Sequence, residues 1–133
     1  FRMVEPSGQV VCWMLTDPQS SQPGNLRRGD PWLLVAHRPG QETRVISFES
    51  GFPIDASERP IASVGGKNFA MFSKGGETAW SHPEDDAAMI TALKRGLSLT
   101  IESRSARGND IRDQFSLRGF TKAYDKISQA CNV

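Results

Sequence analysis

The stretch DQFSLRGFTKAYDKISQAC, Asp113 to Cys131, passes from strand to helix within a few residues. Gln114 to Leu117 reads as the end of a strand with mixed polarity that begins at Asp110. Beyond it Phe120, Ala123, Tyr124, Ile127 and the pair Ala130/Cys131 recur at helical spacing, a stripe that faces a core. The stretch therefore predicts a short helix over about 119–130, laid on whatever the preceding strand belongs to. It ends on one of only two cysteines, and the other, Cys12, lies near the opposite end of the chain. An even cysteine count permits one disulfide and equally permits two separate buried thiols.

Working outward, the same change of period occurs once more. Ser81-His82-Pro83-Glu84 has the form of a capping box, with Pro83 in the first turn, and predicts a helix over about 83–95. Glu84, Asp85 and Asp86 fall at the positive end of its dipole, Lys94 and Arg95 at the negative end, and Gly96 closes it. Ala88, Met89, Ala92 and Leu93 form its apolar stripe.

Everything else reads as short strands. Gln9–Leu15, Trp32–Ala36, Thr43–Phe48, Ile61–Val64, Asn68–Phe72, Glu77–Trp80 and Leu97–Ser103 carry the β-branched, aromatic or alternating pattern of strands. In the last of these Leu97, Leu99 and Ile101 are expected inside. Pro39-Gly40, Gly65-Gly66 and Gly75-Gly76 supply the turns, and Pro18–Arg28 reads as a long loop. Gly51–Ile54 is an irregular, edge-like piece. Short strands between glycine turns predict a sandwich or a barrel. Trp13, Trp32 and Trp80 are expected as its core anchors.

The chain has 133 residues, which fits a single domain over 1–133. With 38% hydrophobic and 23% charged residues it has the composition of a folded domain. Its apolar runs are strand-sized, far short of the roughly 20 residues a membrane-spanning helix needs. A net charge of +1 gives no field that would draw it to nucleic acid. The chain begins at Phe1, as a mature protein freed of a signal peptide or a trimmed chain would.

Catalytic chemistry finds little footing. His37 and His82 are the only histidines. His82 falls inside the capping box. His37 ends a strand with no recognisable nucleophile or carboxylate beside it, so a hydrolase built on it is the weakest reading. There is no CxxC, HxH or HExxH, so no metal site is expected. The glycine pairs lack the spacing that cradles phosphate. Arg27-Arg28, Arg104, Arg107, Arg112 and Arg118 form either a basic face or a solvated surface balanced by the acids.

The run Asp113-x-x-Ser116-Leu117-x-Gly119-Phe120-x-x-Ala123, closing on Ala130-Cys131, resembles the C-terminal signature of the invasion-associated locus B family. Gly8-x-x-x-Cys12, Gly29-x-Pro31, Gly51-Phe52-Pro53, Ala79-Trp80, Lys94-Arg95-Gly96 and Ser105-x-Arg107-Gly108 follow that family's order. The resemblance implies an exported alphaproteobacterial protein, periplasmic or associated with the outer membrane, one branch of which is linked to invasion of host cells. It implies a mainly β fold, an immunoglobulin-like β-sandwich with the two added helices. It brings no catalytic residue and no cofactor. The oxidising periplasm then implies a Cys12–Cys131 bridge. The expected function is a non-enzymatic binding or structural role toward an unidentified envelope or host protein. The alternative is a small-ligand carrier or chaperone-like protein with a pocket between sheet and helix, lined by Phe69, Phe72, Trp80 or Tyr124.

Overall fold

The computed structural model describes residues 8–24 and 27–133 in full, together with the backbone of Arg2–Val4. Phe1, and Asn25-Leu26 within the expected loop, lie outside the described residues. The strands are β1 (Arg2–Val4), β2 (Val10–Thr16), β3 (Ser20–Gln22), β4 (Trp32–Arg38), β5 (Glu42–Glu49), β6 (Ile61–Val64), β7 (Lys67–Ser73), β8 (Thr78–Ser81), β9 (Ser98–Arg104) and β10 (Asp110–Ser116). The helices are α1 (Asp86–Arg95) and α2 (Phe120–Cys131), with a 3-10 turn at Pro83–Asp85 ahead of α1.

All the strands join one antiparallel sheet in the order β1-β2-β4-β5-β8-β7-β6-β9-β10-β3. Its shape follows from one connection. β2 and β3 are joined by only Asp17, Pro18 and Gln19, yet they lie eight inter-strand steps apart in the sheet. At about 4.8 Å per step a flat sheet would hold them nearly 40 Å apart. The linker reaches only about 14 Å when fully extended. The sheet must therefore curl until its two ends approach, and it forms an open half-barrel.

This overturns the immunoglobulin-like sandwich. A sandwich stacks two separate sheets about 10 Å apart. Here hydrogen-bonded neighbours run unbroken from β5 through β8, β7 and β6 to β9. The concave side is covered by the two helices instead of a second sheet. The mainly β character and the two short helices stand. Hairpin spacing and alternation are common to sandwiches and barrels, so the pattern could not separate them; the β2–β3 crossing does.

The inward face carries Leu33 and Val35 of β4, Ile46 and Phe48 of β5, Ala62 and Val64 of β6, Met71 of β7, Leu99 and Ile101 of β9, and Ile111 and Phe115 of β10. Met89, Ile90, Ala92 and Leu93 of α1 and Phe120, Tyr124, Ile127 and Cys131 of α2 complete one buried cluster. Ile90 replaces the expected Ala88. Leu97, expected inside, is 90% exposed, because β9 begins one residue later and the chain is still turning.

Two glycines are required by close approach. Gly51 has a φ of 76°, and a Cβ there would collide with the Gly29 carbonyl, whose own amide donates to the Gly51 carbonyl oxygen at 2.7 Å. Gly96 ends α1 with an ordinary extended φ of −84°, so handedness does not select it. A Cβ there would strike Val64 Cγ2. The smallness of Gly96 lets the α1–β9 connection pass over β6.

The capping box does not form. Ser81 is the buried last residue of β8, paired with Met71, and is not free to cap. Pro83 supports a 3-10 turn, closed by Asp85 N–H donating to the His82 carbonyl at 2.9 Å, and α1 starts three residues later than expected. The Pro18–Arg28 stretch is likewise not all loop. Its Ser20–Gln22 forms β3 on the far edge of β10.

Candidate partner-binding surface

Opposite the core, the convex face of the sheet divides by strand. Alternation places Glu102 and Arg104 of β9, Arg112 and Asp110 of β10, and Gln22 of β3 outward. Their charges cancel locally: Arg112 pairs with Glu102 and Arg104 with Asp110, each at 2.9 Å. Arg28 is buried, so it, Arg104 and Arg112 supply no free positive charge to this face.

The other half is mostly apolar, interrupted by Ser47 and by Glu49, which accepts from Thr78. The register aligns Leu15 of β2 with Leu34 of β4, Leu34 with Ser47 of β5, Ser47 with Trp80 of β8, and Trp80 with Phe72 of β7. Alongside runs Trp13–Ala36–Val45. All three tryptophans thus stand on the convex face, each only partly buried, and none is a core anchor. The reason is parity. Cys12 and Met14 take the inward positions of β2, Leu33 and Val35 those of β4, and Ala79 and Ser81 those of β8, so each neighbouring tryptophan must point out. Leu15 is 43% exposed.

This face ends at the rim in a cleft of about 540 Å³ between the β4–β5 hairpin and the turn before α1. One wall is aromatic: Phe72 and Trp80 lie 5.6 Å apart, and behind them the His82 ring lies tilted 5.0 Å from Phe72. The Lys74 ammonium sits 5.8 Å from the Trp80 ring centre. Glu42, Arg44, Glu84 and Asp86 line the other side. The Asp86 carboxylate accepts from the Ser81 hydroxyl, and partial burial raises its pKa above the ordinary value.

The remaining sequence candidates lie elsewhere. Phe69 packs against the core and Tyr124 is buried under α2, so they line no common pocket with Phe72 and Trp80. Cys12 and Cys131 form a disulfide between β2 and the end of α2, with Cα atoms 6.1 Å apart. Beside it His37 is 1% exposed. Its Nδ1 accepts from the Arg44 amide at 3.0 Å, so Nε2 carries the proton and donates to Ser128 Oγ at 3.0 Å. A base must offer its free lone pair to the serine proton, and this one is spent on Arg44. His37 and Ser128 are thus no nucleophile–base pair. Burial, then the Arg44 charge, lowers the His37 pKa. Among the described residues no group of three His, Cys, Asp or Glu side chains is placed to hold a metal ion.

One buried ion pair was not legible as such. Asp113 is wholly buried between Ile111 and Phe115 on the inward face of β10, and Arg28 grips it with both terminal nitrogens at 2.8 and 2.9 Å. Ser21 donates to the same carboxylate at 2.6 Å, and Arg28 also donates to the Ser50 carbonyl and covers the Phe52 ring. The available signal was parity, an acid in the apolar register of a strand.

The model of the Invasion associated locus B (IalB) protein family matches residues 3–128. The chain belongs to the invasion associated locus B family. A solved structure, invasion associated protein b from Bartonella henselae, is similar in fold, with a TM-score of 0.68 and 14% sequence identity over 99% of this chain and 93% of that one. No curated protein matches the sequence. As a member of the locus B family the protein is exported, periplasmic or secreted, and belongs to the cell envelope as a binding or structural protein, not an enzyme. No helix among the described residues is long and apolar enough to cross a membrane.

Proposed function

We propose that this locus B protein acts as one domain that docks the apolar half of its convex face on a protein of the envelope or of a host cell, and that this docking holds it at the outer membrane and underlies any part in invasion. The observation that carries the reading is the outward row Leu15–Leu34–Ser47–Trp80–Phe72, apolar but for Ser47 and flanked by Trp13 and Trp32. A solvated sheet face ordinarily alternates to polar residues, as this same sheet does on β9 and β10. Outward aromatics and leucines gathered on neighbouring strands mark a surface kept for a partner.

The test is a photo-crosslinking residue placed singly at Leu15, Trp80, Thr100 or Gln114 in cells making the full protein. Adducts with one defined partner from Leu15 and Trp80, and none from Thr100 or Gln114, are expected. Adducts from the charged half alone, or the same adducts from all four positions, would overturn the reading.

A further inference from the structure

The rim cleft says what chemistry the partner brings to it. Its aromatic wall is continuous with the convex apolar face, since Phe72 and Trp80 belong to both. Its opposite wall holds three carboxylates, Glu42, Glu84 and Asp86, and one cation, Arg44, while the second cation, Lys74, lies over Trp80 on the aromatic side. Among the described residues, none of these three acids stands within ion-pair distance of a basic group; the pairs that form are Arg28–Asp113, Lys94–Asp125, Arg104 with Glu58 and Asp110, and Arg112–Glu102.

The charges differ in depth. Arg44, Lys74, Glu42 and Glu84 are exposed, whereas Asp86 is half-buried. Asp86 has lost part of its water and received one hydroxyl in return. Its neighbours Asp85 and Glu42 add repulsion, which Arg44, at a distance, and the positive end of α1 offset in part. A cation brought beside it would replace the missing solvation. The facing rings suit a cation as well, because an aromatic face attracts positive charge, and Lys74 already uses Trp80 in this way.

We propose that the cleft takes a lysine or arginine side chain of the docked partner, its alkyl stem against Phe72 and Trp80 and its charged head toward Asp86 between Glu42 and Glu84. The proposal rests on the docking reading for its partner but not for its chemistry. An aliphatic stem with a cationic head matches the two unlike walls, and an acidic ligand would meet three carboxylates to reach two exposed cations.

The experiment is an NMR titration of the full protein with N-acetyl-arginine amide and N-acetyl-lysine amide, and with N-acetyl-glutamate as the opposite charge. Expected are shifts confined to the Trp80 indole and the amides of residues 42–45, 72–74, 82 and 84–87. Binding should weaken about fivefold in Asp86→Asn, and similarly in Glu42→Gln/Glu84→Gln should the first variant fold poorly. Shifts from the glutamate probe alone, unchanged affinity in both variants, or no shift from either basic probe would overturn it. If the basic probes bind while crosslinks from Leu15 and Trp80 fail, the cleft chemistry stands and the docking reading falls; the converse leaves docking without this anchor.

Discussion

At His37, β4, β5 and α2 meet. Its ring lies 5.3 Å from that of Tyr124, its nitrogens serve Arg44 and Ser128, and its carbonyl lies 3.9 Å from Cys131 Sγ. Protonation would turn Nδ1 into a donor facing the Arg44 amide, next to the Arg44 charge. The folded chain therefore binds this proton less readily than the unfolded chain, whose histidine titrates near 6.5. A depressed folded pKa contributes stability that is complete above the unfolded value and is lost as pH falls through the folded one. Melting temperature measured between pH 7.5 and 5 should drop on acidification, and more in the wild type than in His37→Gln. Equal slopes in the two proteins would remove His37 as the cause. At Gly96 the constraint is volume alone. Gly96→Ala should destabilise by about 1–3 kcal/mol through overpacking, and adding Val64→Ala should restore part of the loss in a double-mutant cycle. Purely additive urea-unfolding energies would place the strain elsewhere.

At the scale of elements, α2 is held twice. Phe120, Tyr124 and Ile127 bury its stripe, and the Cys12–Cys131 bond fastens its last turn to β2 across 119 residues. In the loop-entropy model, closing so long a loop is worth about 5 kcal/mol, an upper value for this class of bond. Reduction should lower the unfolding free energy from urea titration by most of that while leaving the sheet intact, and amide exchange should accelerate first in α2. Exchange rising first in β9 or β10 would count against this order. The segment carrying Arg28 is held by the buried grip on Asp113. Arg28→Met leaves that carboxylate uncompensated and should cost about 3–5 kcal/mol by urea unfolding. A loss under about 1 kcal/mol would mean that the Ser21 hydroxyl and water suffice.

Across the whole molecule, the half-barrel turns one side of its sheet to two helices and the other to solvent, and the solvent side is not uniform. Leu15→Lys and Trp80→Lys lie on the convex face, where water can solvate the new charge. Each should change stability by less than about 1 kcal/mol while abolishing crosslinking from the neighbouring position. A large loss of stability would instead mean that these side chains are structural. The elements themselves were largely legible in the sequence: all eight expected strands fall within a residue or two of their expected ends, and the Phe120–Tyr124–Ile127 stripe is buried as its period demands. The convex face was not. Aromatic residues on short strands read as core, because periodicity gives two faces to a strand without saying which one is covered.

The sequence by itself determined what is local: the strand and helix periods, the glycine turns, the even cysteine count, and the ordered residues that mark the family. Tertiary structure alone decided the rest. Three residues between β2 and β3 curl the sheet into a half-barrel only because the two strands pair at opposite ends of it. The α1 cap failed because β8 claimed Ser81. Arg28 and Asp113, far apart in the chain, became a buried pair because the curling of the sheet removed the water around both. The tryptophans face outward because the inward positions of β2, β4 and β8 were already filled. Each of these outcomes depends on which distant strand lies alongside, a free-energy choice made by the whole chain and written in no single segment.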